Sequence, residues 1–447
     1  MSRPRPAIRA LALGVSAVLS LSLAACSSSG ADTASGAGGI AGSAQKDNGA
    51  ATDGTIKIGL LSTLDGPFAV LGEVANQGAK LALVEAGATL KGDGPRDGVS
   101  GLTIGDQPVE LSIGSSDATP DSALAAAKQL VEKDGVDILV GPLSGDEGLA
   151  IKEYAKQHPE VTFVNGTSGA QNTTLRDPAS NFFRFTTDGA QWMAGLGDYA
   201  ASTLGYKSVV TIGEDYSFPY DQVGGFMTPF CAAGGTVPDK IWVPIGTKDF
   251  SSFISQIPDG VDALYVALGG ADALNFTKQL DESSLAGTPI IGGTITADGS
   301  LIAGLGDRAE GIVSAGPVAA LDTPEYAAYA KLLKATYPKS GPPGLFDTGY
   351  YTEMKSTLMA LDQVDGKLDD KHVALNDALA NLTWTTPTGP VKLDENRQAI
   401  ANNYLFKVEN GSSVMVDTIP NVDETLGFDR ADYIAKPAND RDHPSCS

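Results

Sequence analysis

IKIGLLSTLDGPFAVLGEVANQGAKLALVEA, residues 56–86, carries two hydrophobic periods in succession. Over 56–61 the apolar side chains form a short run with β-branched members, the mark of a buried strand. Past the turn residues Asp65-Gly66-Pro67 the period lengthens, and Val74, Ala75, Ala79, Ala82 and Leu83 fall on one face of a helix over 72–86. A strand followed by its helix is the unit of a parallel sheet, because a parallel neighbour is reached only by a crossover.

The unit repeats along the chain. A strand at 109–113 leads to Thr119-Pro120, an N-cap with proline at the first helical position, which opens a helix over 121–133. A strand at 137–140, a helix over about 145–157 and a strand at 161–164 follow. After 185–188 the pattern restarts with a helix over 191–204, then strand 208–212, helix 220–233 and strand 240–243. It continues with helix 250–256, strand 263–267, helix 271–281 and strand 289–291. A strand at 311–314 and a long helix over about 347–363 come next. The stretch 386–416 then turns β-rich, with 389–393 and 403–408 separated by a polar turn at 394–397. The spacing predicts an α/β protein with two Rossmann-like lobes and mostly parallel sheets.

Ahead of the folded part, Arg3, Arg5 and Arg9 precede an apolar and small-residue run over 10–25 that ends in Leu23-Ala24-Ala25-Cys26. This reads as a lipoprotein signal peptide over 1–25, with Cys26 as the lipidated first residue of the mature chain. A transmembrane anchor is the other reading. The run is short for a span and is followed by Ser and Gly without a basic stop. Residues 26–54 are too poor in apolar side chains to offset the entropy of ordering, and read as a tether. The implied location is the outer face of a bacterial cell membrane.

The formal net charge is −23, and loss of the three signal-peptide arginines takes it to about −26. Such a surface repels nucleic acid. Cys231 and Cys446 remain after processing, in a compartment where disulfides persist. Paired, they close a loop worth about 2 to 4 kcal/mol and pin the tail to the body; two free thiols are the alternative. There is no CxxC, and His158, His372 and His443 stand alone, so no metal or other cofactor is expected. The chain has no GxSxG, HExxH or GxxxxGK[ST], which argues against an exported enzyme.

Several stretches, in order and spacing, resemble the type I periplasmic binding proteins of branched-chain amino-acid and amide ABC transporters, the leucine-binding family. They are Ile56-Lys57-Ile58-Gly59, Asp65-Gly66-Pro67-Phe68-Ala69-Val70-Leu71-Gly72, Gly78-Ala79 and Gly141-Pro142-Leu143-Ser144, then Phe183-Arg184-Phe185-Thr186, Asp249-Phe250-Ser251 and Gly389-Pro390-Val391. The resemblance implies three crossings between lobes. The first lobe would comprise 55–184 plus 311–376, the second 185–310 plus 377–436, and 437–447 would be a tail. It implies a monomer that captures a small polar solute between the lobes by hinge closure and presents it to a membrane permease. The solute would be an amino acid, an amide or urea-like compound, or a small carboxylate. A receptor feeding a membrane signalling partner is the alternative output.

The site residues follow from strand-end loops, where open α/β sheets bind their ligands. The resemblance puts a ligand carboxylate on Ser144, Thr167 and Ser168, with backbone from Leu143, Gly145 and Gly169. It puts an aromatic from the second lobe, Phe218 or Tyr216, over the ligand. Asp272 is placed to meet an ammonium or to cap its helix, Phe346 to line the first-lobe wall. Leucine-type receptors carry an aromatic where Leu71 and Ala271 stand, and an acid near Thr294. The departures at these three positions leave an amino acid needing Asp272 or Asp215 as its partner.

Overall fold

The structure is a computed structural model and describes residues 54–296 and 299–446. Cys26 and the expected signal peptide and tether lie outside the described residues.

Two sheets organise the chain. The first has six strands, in the order Thr103–Ile104, Gln107–Ser116, Ile56–Thr63, Ile138–Val140, Thr162–Val164 and Phe182–Phe183. All its pairings are parallel except that of the short Thr103–Ile104. The second has nine. Lys240–Val243, Val209–Glu214, Ala263–Ala267, Ile290–Gly292 and Val313–Gly316 run parallel. Ala399–Glu409, Gly389–Leu393, Trp384–Thr386 and Ser412–Val422 add an antiparallel flank. The mixed α/β, mostly parallel, two-lobed architecture is the one read from the alternating periods.

Helices cover the sheets where the apolar pattern requires. Ala69–Glu85 packs along Leu345–Gln363 so closely that a Cβ on Gly78 would come 1.9 Å from the Asp347 carbonyl oxygen. The Thr119 hydroxyl caps Pro120–Lys128 by accepting from Ser122 N at 3.4 Å. Thr323 does the same for Pro324–Thr336, accepting from Tyr326 N at 3.3 Å. That helix was not anticipated, although it carries the same Thr-Pro signature.

Three expectations need correction. The helix over 191–204 is three short pieces, Gln191–Met193, Leu196–Asp198 and Tyr199–Thr203. Gly195, at φ 82° and with Ile419 only 2.6 Å from where a Cβ would stand, breaks it. The strand expected in the first lobe from 311 is Val313–Gly316, and it lies in the second sheet between Ile290–Gly292 and Ala399–Glu409. The second crossing therefore follows Gly316. The boundary at 376–377 falls inside the helix Val373–Ala380, whose Leu375 and Leu379 are buried in one cluster with Ile56 and Met354. The third crossing follows that helix.

Cys231 and Cys446 form a disulfide with their Cα atoms 5.8 Å apart. Among the described residues no helix is long and apolar enough to cross a membrane, and no group of three or more His, Cys, Asp or Glu is arranged to hold a metal ion.

Candidate functional site

At the carboxyl end of the first sheet, Ile138–Val140 runs into Gly141-Pro142-Leu143 and then Ser144, the N-cap of Gly145–Ala155. Glu147 fixes this turn by accepting from Ser144 N at 2.9 Å, while the Ser144 hydroxyl donates to the Ala118 carbonyl at 3.2 Å. The next strand, Thr162–Val164, leads into a loop held by Thr167 N donating to the Pro142 carbonyl at 3.2 Å, and by Asn165 Nδ2 donating to the Ser168 carbonyl at 3.2 Å. From the second sheet, Val209–Glu214 ends in Asp215 and in Tyr216, the extended N-cap of Ser217–Ala232. Phe218 follows at the start of that helix, edge-on to Trp192 at 5.5 Å between ring centroids.

These loops enclose a cavity of about 140 Å³ between the lobes. The first sheet's side supplies Phe68, Leu71, Ala118, Leu143, Ser144, Gly145, Asp146, Thr167, Gly169, Leu345 and Phe346; the second's supplies Trp192, Tyr216, Phe218, Ile245 and Ile295. The lobes touch beside it. Gly189 N donates to the Gly169 carbonyl at 2.8 Å, and a Cβ on Gly145 would come 2.6 Å from the Ser217 hydroxyl. A smaller chamber of about 40 Å³ lies behind, sharing Thr167, Trp192 and Leu345 and lined otherwise by residues that include Thr186, Pro317, Thr348 and Thr386.

Nine expected site residues line the main cavity: Leu71, Leu143, Ser144, Gly145, Thr167, Gly169, Tyr216, Phe218 and Phe346. Three do not. Ser168 is fully buried against the first helix turn, where a Cβ on Gly148 would stand 1.9 Å from its hydroxyl. Asp272 is buried and accepts from Gly246 N at 2.7 Å, so it ties down a second-lobe loop. The Thr294 hydroxyl donates to the Ala315 carbonyl at 2.9 Å and accepts from Gln222 at 2.9 Å. Asp215, the other acid named for an ammonium, faces Tyr220 and pairs with Arg441 at 3.3 Å. Among the described residues the acid that lines the cavity is Asp146, which sequence reasoning passed over. Its signal was its place as the second residue of the helix that Ser144 caps, in an acidic first turn with Glu147.

The crossings meet on a buried guanidinium. Arg184 donates to Gln398 Oε1, to the Thr174 hydroxyl and to the Ala170 carbonyl at 2.8 Å, with Asp188 and Glu424 at 3.6 and 3.8 Å. Glu353 accepts from Phe185 N and Thr186 N at 3.0 and 2.9 Å. Asp221 accepts from Gln171 N at 2.9 Å, joining helix Ser217–Ala232 to the first lobe. One buried cation cannot balance so many acids. Burial pushes Glu353 up to about 8 and Asp221 to about 7, and raises Asp188 and Glu424 as well. Glu214, buried behind the cavity near Asp272, is pushed up to about 7 by burial first and that neighbour second.

A polar helix start facing an apolar wall across a gap between two hinged sheets defines a solute receptor. A family model described as periplasmic binding protein matches residues 55–413, and the chain belongs to that family, as a type I member of the branched-chain amino-acid ABC transporter group. It is 26% identical over 362 residues to Leu/Ile/Val-binding protein homolog 6 of Brucella melitensis, covering 79% of this chain and 87% of that one. An ABC transporter substrate-binding protein from Sphaerobacter thermophilus is 30% identical with a TM-score of 0.74, covering 83% and 100% of the two chains. A solute-binding protein of Rhodopseudomonas palustris BisB5, in complex with 3,4-dihydroxybenzoic acid, is 26% identical with a TM-score of 0.70, covering 83% and 99%.

The raised carboxyls set a pH dependence. A carboxyl with a folded pKa above its unfolded value of about 4 favours the fold while protonated, and that contribution is lost as pH rises through the folded pKa. His372, which burial lowers to about 4, acts oppositely, but its effect is complete once pH exceeds about 6.5. Stability should therefore fall between pH 6.5 and 8, roughly the window of Asp221, Glu214 and Glu353. Urea midpoints across that window measure it; a rising midpoint contradicts the burial of neutral acids.

Proposed function

We propose that this protein is the lipid-anchored, extracytoplasmic substrate-binding component of an ABC importer, and that its lobes close on an apolar amino acid. The observation that carries this reading is the composition of the cavity. The free N–H groups at the start of Gly145–Ala155, with the buried, unpartnered Thr167 hydroxyl beside the same cavity, suit a carboxylate, because unpaired amides and the helix dipole favour an anion there. Phe68, Leu71, Tyr216, Phe218, Ile245, Ile295 and Phe346 offer an apolar body its wall. Urea-like compounds, which the sequence left open, have nothing to place against such a wall.

Asp146 bears on the remaining question. Among the described residues no Lys, Arg or His lines the cavity, so an anion without an amine would face an unbalanced carboxylate, whereas an ammonium would meet it as a charged hydrogen bond. The Brucella relative's name specifies leucine, isoleucine and valine, and the Rhodopseudomonas structure holds an aromatic acid; both kinds of compound pair a carboxylate with an apolar body. Binding serves capture, with no covalent step.

Ligand-stripped protein is tested by thermal unfolding against L-leucine, L-phenylalanine, benzoate, 3,4-dihydroxybenzoate, acetamide and urea. A cognate solute at about 100 times its Kd adds roughly 2.7 kcal/mol. An apolar amino acid should give the largest shift, and Asp146→Asn should weaken it at least ~10-fold, a charged hydrogen bond being worth about 1.5–3 kcal/mol. A shift confined to the benzoates, unchanged or strengthened in Asp146→Asn, assigns the cavity to amine-free acids instead. For the anchor, Cys26→Ala should release the protein from membranes, and continued retention would rule lipidation out.

A further inference from the structure

The carboxyl-terminal segment touches both lobes. Arg176, in the first-lobe stretch between Thr162–Val164 and Phe182–Phe183, donates to the carbonyls of Ile434 and Lys436 at 2.5 and 2.8 Å. Gln171, in the same stretch, donates to the Tyr433 hydroxyl at 3.1 Å. A few residues on, the segment belongs to the second lobe. Trp242 Nε1 donates to the Arg441 carbonyl at 3.0 Å, Lys240 Nζ to the Pro444 carbonyl at 3.1 Å, and Cys446 is bonded to Cys231 of helix Ser217–Ala232. Between the two sets Asn439 bridges directly, donating to Gln171 Oε1 at 3.1 Å and Asp221 Oδ1 at 3.0 Å.

We propose that this segment is a strap that limits how far the lobes open. The inference rests on the hinge closure proposed above and on nothing about the solute. From Lys436 to Arg441 an extended chain reaches only about 17–18 Å, so the first-lobe anchors at 434–436 and the second-lobe anchors cannot separate beyond that without breaking. The disulfide makes the two ends unequal. Its covalent hold keeps the second-lobe end fixed, so opening must extract the Ile434 and Lys436 carbonyls from the half-buried Arg176 guanidinium, a charge-assisted interaction. Without the disulfide, that end is held only by largely exposed contacts, Trp242 and Lys240 on backbone carbonyls and the Arg441–Asp215 pair, which solvent weakens, and the strap peels away. A chain with the strap intact thus samples a narrower range of openings and returns to the closed state over a shorter path.

The test uses a wedge. Gly145→Trp drives an indole against Ser217, where even a Cβ stands 2.6 Å from the hydroxyl, and forces the lobes apart. Small-angle X-ray scattering of the full chain is recorded for the wedge alone, with Cys446→Ser, and with Arg176→Ala, which cuts the first-lobe anchor and leaves the disulfide. The radius of gyration should grow more in either strap-released background than in the intact one. Equal growth in all three overturns the strap while leaving hinge closure standing. No growth in any of them overturns hinge closure and the strap with it. Should Cys446→Ser fail to fold, Arg176→Ala alone decides between these outcomes.

Discussion

The buried guanidinium of Arg184 is the point on which the two-lobed arrangement depends. It is fully enclosed and bonds residues from distant parts of the chain: Thr174 and Ala170 from the loop under the cavity, Gln398 from the turn before strand Ala399–Glu409, and Glu424 beyond the last strand. A buried charge is tolerable only when its donors are satisfied and a counter-charge is near. Those partners are supplied only if the crossings converge as they do. Asp188, which lies 3.6 Å from the guanidinium, also caps the next turn through Ala190 N and Gln191 N. The same charge thus fixes where the second lobe begins.

Rigidity at the crossings allows variety above them. The cavity is built from strand-end loops, each held from below by its own bonds: Ser144 by Glu147 and Ala118, Thr167 by Pro142. The two sides are unequal. The first lobe presents the polar helix start beside Phe68, Leu71 and Phe346, and the second adds Tyr216, Phe218, Ile245 and Ile295 to the apolar wall. Neither half alone encloses a solute. Contact with both lobes is what makes differential affinity for the closed state available.

Much of this was legible in the sequence, because the period of a strand and that of a helix are local properties. The alternation from 56 onward therefore gave the fold class, and the strand-end loops together with the family resemblance pointed to nine cavity residues. The misplacements are non-local. Nothing within 311–316 says that Val313–Gly316 must pair with Ala399–Glu409, almost ninety residues away. The acids at the site misled for a similar reason. Asp272 and Asp215 were equally plausible partners on paper, but one is spent on Gly246 N and the other on Tyr220 and Arg441, bonds visible only in three dimensions. Asp146 reaches the cavity because the turn before it is pinned by Glu147, and the helix Pro324–Thr336 was readable from Thr323-Pro324 by the rule that found Thr119-Pro120.

Closure of the two lobes on an apolar amino acid is tested most directly by small-angle scattering of ligand-stripped protein during titration with apolar L-amino acids. Closure should give a fall in the radius of gyration that saturates at one solute per chain. Binding without compaction, or no binding by any of them, would contradict it.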